Sequence, residues 1–330
     1  MKGNLRVKKG DAIGIFSPSS PITATSPKRF HRAKQFLENE GFEIIEGNLT
    51  GKQDGYRSGS IQERAEELNT LIRDPKVRCI MSTIGGMNSN SLLPYIDYEA
   101  FRQDPKIVIG YSDVTAILLA IYAKTGITTY YGPALVASFG EYPPFVEASF
   151  RYFEEAVMGQ VNGIRTLTMP ETWAEEYIPW ETQDRSKQAQ ANRWITVQAG
   201  IATGRLIGGN LNTMQGIWGT EYMPEIKKGD ILLIEDSLKS AATIERGFSL
   251  LKISGVLDRV GGILLGKHEL FDDLGTGRKP YQILMEVLGK RKIPILADFD
   301  CCHTHPMITV PIGAEIELDV TSQKVTILSD

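Results

Sequence analysis

Lys106-Ile107-Val108-Ile109-Gly110-Tyr111-Ser112-Asp113-Val114-Thr115-Ala116-Ile117-Leu118-Leu119 is the stretch whose reading decides the fold. A short apolar strand ends at Gly110 and an apolar helix begins after Asp113, so Ser112 falls on a tight strand-to-helix turn. Such a turn lifts a hydroxyl above the end of a sheet and aims a helix N-terminus at it. Gly110 meets the steric crowding of the turn, while Asp113-Val114 stands where a G-x-S-x-G elbow has its second glycine. Two roles compete for Ser112: a nucleophile, or an N-cap for the helix that follows.

Upstream, Asp11-Ala12-Ile13-Gly14-Ile15-Phe16 is an apolar strand that stops at Ser17-Pro18-Ser19-Ser20-Pro21. A helix follows from about Ser26 to Glu40, with Phe30, Ala33, Phe36 and Leu37 on one face and Gly41 closing it. Phe42–Glu46 is the next strand, Ile61–Arg73 is amphipathic, and Val77–Ser82 is a third strand ahead of Ile107–Ile109. Strands alternating with helices predict an α/β fold with a parallel sheet covered on both faces. Ligands gather at the carboxyl ends of such strands, where Ser17, Gly85-Gly86 and Ser112 all fall.

Downstream, Glu171 to Trp194 interleaves Trp173, Trp180 and Trp194 with charged residues and shows no periodicity; it reads as a connection lying over a cleft. A second apolar pattern starts near Gly204. Asp230–Asp236 is a strand ending in carboxylates, Ala242–Ile253 a helix, and Gly261–Gly266 and Ile293–Ala297 further strands. The tail from Ile308 to Leu328 reads as β-structure turning at Ser322-Gln323. The expected organisation is residues 1–165 as the domain carrying the nucleophile turn, 166–200 as the connection, and 201–330 as a second domain.

The length of 330 residues suits about two domains. Hydrophobic residues make up 42% and charged residues 23%, an ordinary globular balance, and the net charge of -4 gives no support for a nucleic-acid partner. Three cysteines, Cys79, Cys301 and Cys302, form no disulfide framework and favour a reducing cytoplasm. The stretch Met1 to Lys9 lacks the apolar run of a secretory leader, and no segment reaches the roughly 20 apolar residues of a membrane span. A soluble, cytoplasmic protein without membrane association is the expectation.

A serine nucleophile needs a base in hydrogen-bond reach and a carboxylate to orient that base. Among four histidines, His31 lies on the first helix, His268 follows a strand end, and His303 and His305 sit in the loop after an apolar strand. Glu235 ends another strand, so the order Ser112, Glu235, His303 fits a catalytic triad; Glu235-Asp236 could instead cap a helix. Two other readings remain open here. Asp300, His303 and His305 could form a metal cluster, and Cys302 could be a nucleophile, although it lacks the helix N-terminus that would lower its pKa. An oxyanion needs backbone N–H donors near the nucleophile. Gly85-Gly86, directly after a strand, and the N–H of Asp113 supply them, with Gly86 able to approach a reacting carbonyl because it has no Cβ.

Five ordered motifs are similar to those of the LD-carboxypeptidase family of serine peptidases, and most closely to its microcin C immunity branch. They are Ser-Thr-Ile-Gly-Gly-Met-Asn-Ser-Asn (82–90), Gly-Tyr-Ser-Asp (110–113), Gly-Arg-Leu-Ile-Gly-Gly-Asn-Leu-Asn-Thr (204–213), Leu-Ile-Glu-Asp (233–236) and His-Thr-His-Pro-Met-Ile-Thr-Val-Pro-Ile-Gly (303–313). The resemblance spans almost the whole chain. It implies a Rossmann-like N-terminal domain and a smaller, β-rich C-terminal α/β domain. It maps the triad onto Ser112, Glu235 and His303 and the oxyanion donors onto Gly86 and Asp113, with Cys301-Cys302 standing where a glycine is expected. No cofactor and no metal are implied, and a homodimer is.

The resemblance also implies the chemistry. One group of the family removes the terminal D-alanine of murein tetrapeptide; the microcin-type group cuts the amide joining a peptidyl or aminoacyl carboxyl to a nucleotide. In the second group a tryptophan of the connection stacks on the base, which assigns Trp180 here, with Trp173 in reserve and a packed linker aromatic as the alternative. Asn212, Lys239 and Asn88 are the implied polar contacts. Three functions are therefore carried forward: hydrolysis of microcin C-like nucleotides, hydrolysis of a muropeptide, and a non-catalytic module binding peptides or nucleotides in the same cleft.

Overall fold

The computed structural model describes residues 5–159 and 163–329. Met1–Asn4, part of the stretch read for a leader, lie outside them, as do residues 160–162 and Asp330. The first sheet contains β1 (Ala12–Phe16), β2 (Glu43–Glu46), β3 (Val77–Ser82), β4 (Ile107–Gly110) and β5 (Thr129–Tyr131), all parallel. Its order is β5-β4-β3-β1-β2, and a strand from far downstream, Val310–Ile312, pairs antiparallel with β5 at the edge. Because successive side chains point to opposite faces, these strands feed two cores. Ile13, Ile15, Cys79, Met81, Ile107 and Ile109 pack with helices Pro27–Asn39 and Phe145–Val157. Ile80 and Val108 face helices Ile61–Arg73 and Thr115–Thr125. Near-continuous apolar strands such as β4, buried at every position, are what a sheet covered on both sides requires.

The second sheet draws on β6 (Arg165–Leu167), β9 (Ile195–Gln198), β10 (Ile201–Asn210), β11 (Ile231–Ser237), β12 (Gly262–Glu269), β13 (Ile295–Phe299), β15 (Glu315–Asp319) and β16 (Lys324–Ser329). The Val310–Ile312 strand of the first sheet is β14; β7 (Thr172–Trp173) and β8 (Gln190–Ala191) form a separate ribbon. The order β6-β16-β15-β10-β11-β12-β13-β9 has a parallel centre, β10 to β13, flanked by antiparallel strands. Helix Thr115–Thr125 is buried at seven successive positions because it lies inside the core that both sheets share.

Two features depart from the sequence reading. The stretch expected as an irregular connection, 166–200, begins and ends in strands of the second sheet and pairs Ala174 with His305. Its strands are short, two to four residues, so no periodicity develops. The chain also returns to the first sheet at Val310–Ile312 after completing β13 of the second. No helix among the described residues is long and apolar enough to cross a membrane.

Candidate active site

Ser112 holds φ +60°, a left-handed conformation that a side chain makes costly, on the order of 1–3 kcal/mol. The chain leaves β4, makes one turn of 3-10 helix over Ser112–Val114, and enters helix Thr115–Thr125. Thr115 Oγ1 donates to the Ser112 carbonyl at 2.6 Å and helps lock the turn. The Ser112 hydroxyl caps neither helix; it lies 2.9 Å from His303 Nε2. The capping role weighed for Ser112 is therefore not the one its geometry shows.

His303 Nδ1 donates to Glu235 Oε2 at 2.6 Å. Glu235 is fully buried at the end of β11, and its other oxygen accepts from Tyr131 Oη at 2.6 Å and Asn210 Nδ2 at 2.9 Å. Burial alone would push this carboxyl up; the His303 charge and the bonds from His303, Tyr131 and Asn210 outweigh it and hold the group below its usual value. Burial likewise pulls His303 down, but the Glu235 carboxylate more than offsets it and the imidazole stands above its ordinary value of 6.5. Tyr131 also accepts from the Ser112 N–H at 3.1 Å, joining the serine backbone to the carboxylate. The Tyr111 ring meets the His303 ring edge-on at 4.9 Å. Tyr131 and Asn210 were not found by sequence reasoning. Asn210 sits within a quoted motif and pairs in register with Glu235, so strand ends were the signal; the three residues of β5 give none.

The loop after β3 approaches from the other side. A Cβ on Gly85 would come within 2.9 Å of Ser112 Cβ and 3.0 Å of the Asp113 nitrogen. Gly86, at φ +148°, lacks a Cβ for a different reason than expected: one would strike Ser19 Oγ at 2.3 Å. The N–H groups of Gly86 and Asp113 donate to no other described residue. The Asp113 carboxylate instead accepts from the N–H groups of Asn88 (3.1 Å) and Ser89 (2.9 Å), fastening the glycine loop to the serine turn.

A cavity of about 250 Å³ opens on Ser112, Gly85, Gly86 and His303. Trp180 lines it, and the fully buried guanidinium of Arg29 covers the ring at 4.6 Å from its centre. Arg29 also pairs with Glu141 at 3.1 Å and donates to the Val136 and Ala137 carbonyls. Trp173 lies elsewhere, on the β7–β8 ribbon with Lys267 Nζ 5.3 Å from its ring centre. Asn212 lines an adjoining small recess with Gly86, Asp113 and Asn90. Lys239 Nζ is 3.8 Å from Asp236. The Asn88 side-chain oxygen accepts from Arg64 (2.7 Å) and Ser19 (3.0 Å), so it braces the loop.

The rival groups fare differently. His305 is buried, packs its Nε2 3.8 Å from Glu141 and is driven well below its ordinary pKa by burial. His268 is a residue of β12, pushed down to about 4 by burial. His31 is exposed on its helix. Burial raises the Cys302 thiol to about 12, the opposite of an activated nucleophile. Asp300 turns to Lys267, Trp194 and Asn192, away from His303. Among the described residues no group of three or more His, Cys, Asp or Glu is placed to hold a metal ion.

Known proteins resemble this chain along nearly its whole length. The LD-carboxypeptidase N-terminal domain profile matches residues 13–132 and the LD-carboxypeptidase C-terminal domain profile matches residues 203–318. A putative carboxypeptidase of Vibrio cholerae serotype O1 is 62% identical over 310 residues, covering 94% of this chain and 92% of its own. The microcin C7 self-immunity protein MccF of Escherichia coli is 53% identical over 320 residues, 96% and 93% of the two chains. Solved structures of MccF with aspartyl sulfamoyl adenosine (TM-score 0.97) and with glutamyl sulfamoyl guanosine (TM-score 0.96) share 52% identity and cover 98% of both chains. With both domain profiles matched in order, the chain belongs to the LD-carboxypeptidase family, as a hydrolase of the serine-peptidase type.

Proposed function

We propose that this protein hydrolyses the amide that joins an aminoacyl or peptidyl carboxyl to a nucleotide, and so detoxifies microcin C-like compounds. Ser112 Oγ attacks the carbonyl carbon while His303 Nε2 takes its proton; the N–H groups of Gly86 and Asp113 receive the oxyanion. His303 returns the proton to the leaving nitrogen, and water then releases the acyl group by the same path. Glu235, held by Tyr131 and Asn210, keeps the imidazole in the tautomer whose Nε2 can accept. The observation that carries the substrate class is Trp180: a ring with a cation behind it and the serine's cavity in front. The sulfamoyl nucleotides held by MccF support the same reading. Asn212 and Lys239 are proposed to contact the polar part of the nucleotide. A cytoplasmic homodimer belongs to this reading on family resemblance.

The test is hydrolysis of aspartyl sulfamoyl adenosine and of murein tetrapeptide, side by side, by wild type and Trp180→Ala. Stacking on a base is worth about 1–3 kcal/mol, so KM for the nucleotide should rise roughly five- to a hundred-fold with kcat nearly unchanged. The muropeptide has no base and its turnover should barely respond. Equal losses on both substrates, with a lowered Tm, would make Trp180 structural.

A further inference from the structure

Buried carboxylates in this protein are paired. Glu67 accepts from the N–H groups of Ser17 and Leu49, Glu141 holds Arg29, Asp236 accepts from Asn210 and Asn212, and Asp300 holds Lys267. Glu269 is different. It is half-buried, and among the described residues its carboxylate has no hydrogen bond and no ion pair. It ends β12 opposite Ser237 of β11, two residues beyond Glu235, and so faces the same side of the sheet as that carboxylate. Two residues along a strand span roughly 7 Å. Glu269 therefore projects into the space that His303 enters, and lines the Ser112 cavity with Ser237 and Lys187.

A half-buried carboxylate without a partner is costly unless a ligand supplies one. The charged groups around it are His303, which is engaged with Glu235, Lys187, already drawn toward Glu141 at 3.9 Å, and the like-charged Glu235 and Glu175. None of them closes on Glu269. Ile178, Leu238 and Leu270 give this part of the cavity apolar walls, and Ser237 and Tyr177 add hydroxyl groups but no cation. In an aminoacyl substrate whose carbonyl sits at Ser112, the α-ammonium is attached to the carbon next to the scissile carbonyl, within the same small cavity.

We infer that Glu269 is a specificity residue that binds the free α-ammonium of the aminoacyl group, so that the preferred substrates are aminoacyl nucleotides with an unblocked amine. The inference rests on the proposed nucleotide hydrolase reading. A charge-assisted hydrogen bond of this kind should favour the free amine by about ten- to a hundred-fold.

The experiment compares kcat/KM for aspartyl sulfamoyl adenosine and its Nα-acetyl derivative in wild type, Glu269→Gln and Glu269→Asp, with Tm recorded for each. Wild type should prefer the free amine at least tenfold; Glu269→Gln should bring that ratio to within about threefold of one, without loss of Tm; Glu269→Asp, which keeps the charge, should restore part of the preference. A wild type without preference, or a ratio that Glu269→Gln leaves unchanged, overturns the assignment while the nucleotide hydrolase reading stands. A wild type that turns over neither nucleotide but cleaves murein tetrapeptide overturns that reading instead, and the assignment with it.

Discussion

Replacing Glu235 with Gln should be nearly silent for the fold and ruinous for turnover. Two donors, Tyr131 Oη at 2.6 Å and Asn210 Nδ2 at 2.9 Å, address the same oxygen, Oε1. A glutamine must place its carbonyl oxygen there, which puts its NH₂ at the Oε2 position, 2.6 Å from His303 Nδ1. Two N–H donors cannot face each other at that distance. The imidazole is then forced into the tautomer with a bare Nδ1 and a protonated Nε2. That proton points at Ser112 Oγ, 2.9 Å away, where an acceptor is required. The size and the hydrogen bonds to Oε1 are preserved, and a buried charge is removed, so Tm should move by only a few degrees. By analogy with triad acids elsewhere, kcat should fall on the order of ten-thousand-fold. The assay is kcat and kcat/KM on aspartyl sulfamoyl adenosine, with the rate of covalent labelling by a fluorophosphonate as an independent reading of Ser112. A variant that keeps more than about a tenth of wild-type kcat would refute the tautomer argument; a collapse of Tm matching the loss of activity would show that the charge serves the fold.

The remaining predictions concern the same network. Tyr131→Phe removes a bond to a charged group and leaves the Ser112 N–H without its acceptor; stability should fall by about 1–3 kcal/mol, with kcat reduced as well, and an unchanged Tm in thermal denaturation would contradict this. Since Glu235 raises His303, and only neutral His303 can take the serine proton, the acid limb of kcat/KM should lie above pH 6.5; a limb below it would mean that another group limits the rate. In stability terms the dependence runs the opposite way for this histidine. Its charged pairing contributes fully below the unfolded pKa and is lost as pH rises through the higher folded one, while the contribution of Glu235 is lost as pH falls through its depressed folded value.

The turn at Ser112 was legible because its neighbours are unambiguous: Ile107–Gly110 is apolar without interruption and Ala116–Ile121 is apolar all round. Glu235 and His303 were legible for a related reason: Glu235 lies near the end of an apolar strand and His303 in the loop that follows another, and both strands are long enough to register. What stayed hidden is non-local. β5 has three residues, β6 three and β14 three, too few for a period, and nothing local says that 310–312 pairs with 129–131 across the molecule. The left-handed φ of Ser112 was hidden too, since a serine gives no sign of a conformation imposed by the Tyr131 and Thr115 contacts around it. Gly86 was read as a residue whose missing Cβ lets a carbonyl approach, whereas the obstacle a Cβ would meet is Ser19, some seventy positions upstream.

The late return of residues 310–312 to the edge of the first sheet bears on how the polypeptide is made. During synthesis the first five strands emerge long before the one that covers β5. Until residue 312 leaves the ribosome, that edge is bare, and bare edges recruit other chains. A gene cut between the two family domains would inherit the same defect: the first half would lack its border strand, and the second would carry an orphan one. His303 lies on the span between β13 and β14, so the strand that seals the edge also tethers the base. The nascent enzyme gains its closed edge and its proton acceptor in one late step, and should stay catalytically silent until then.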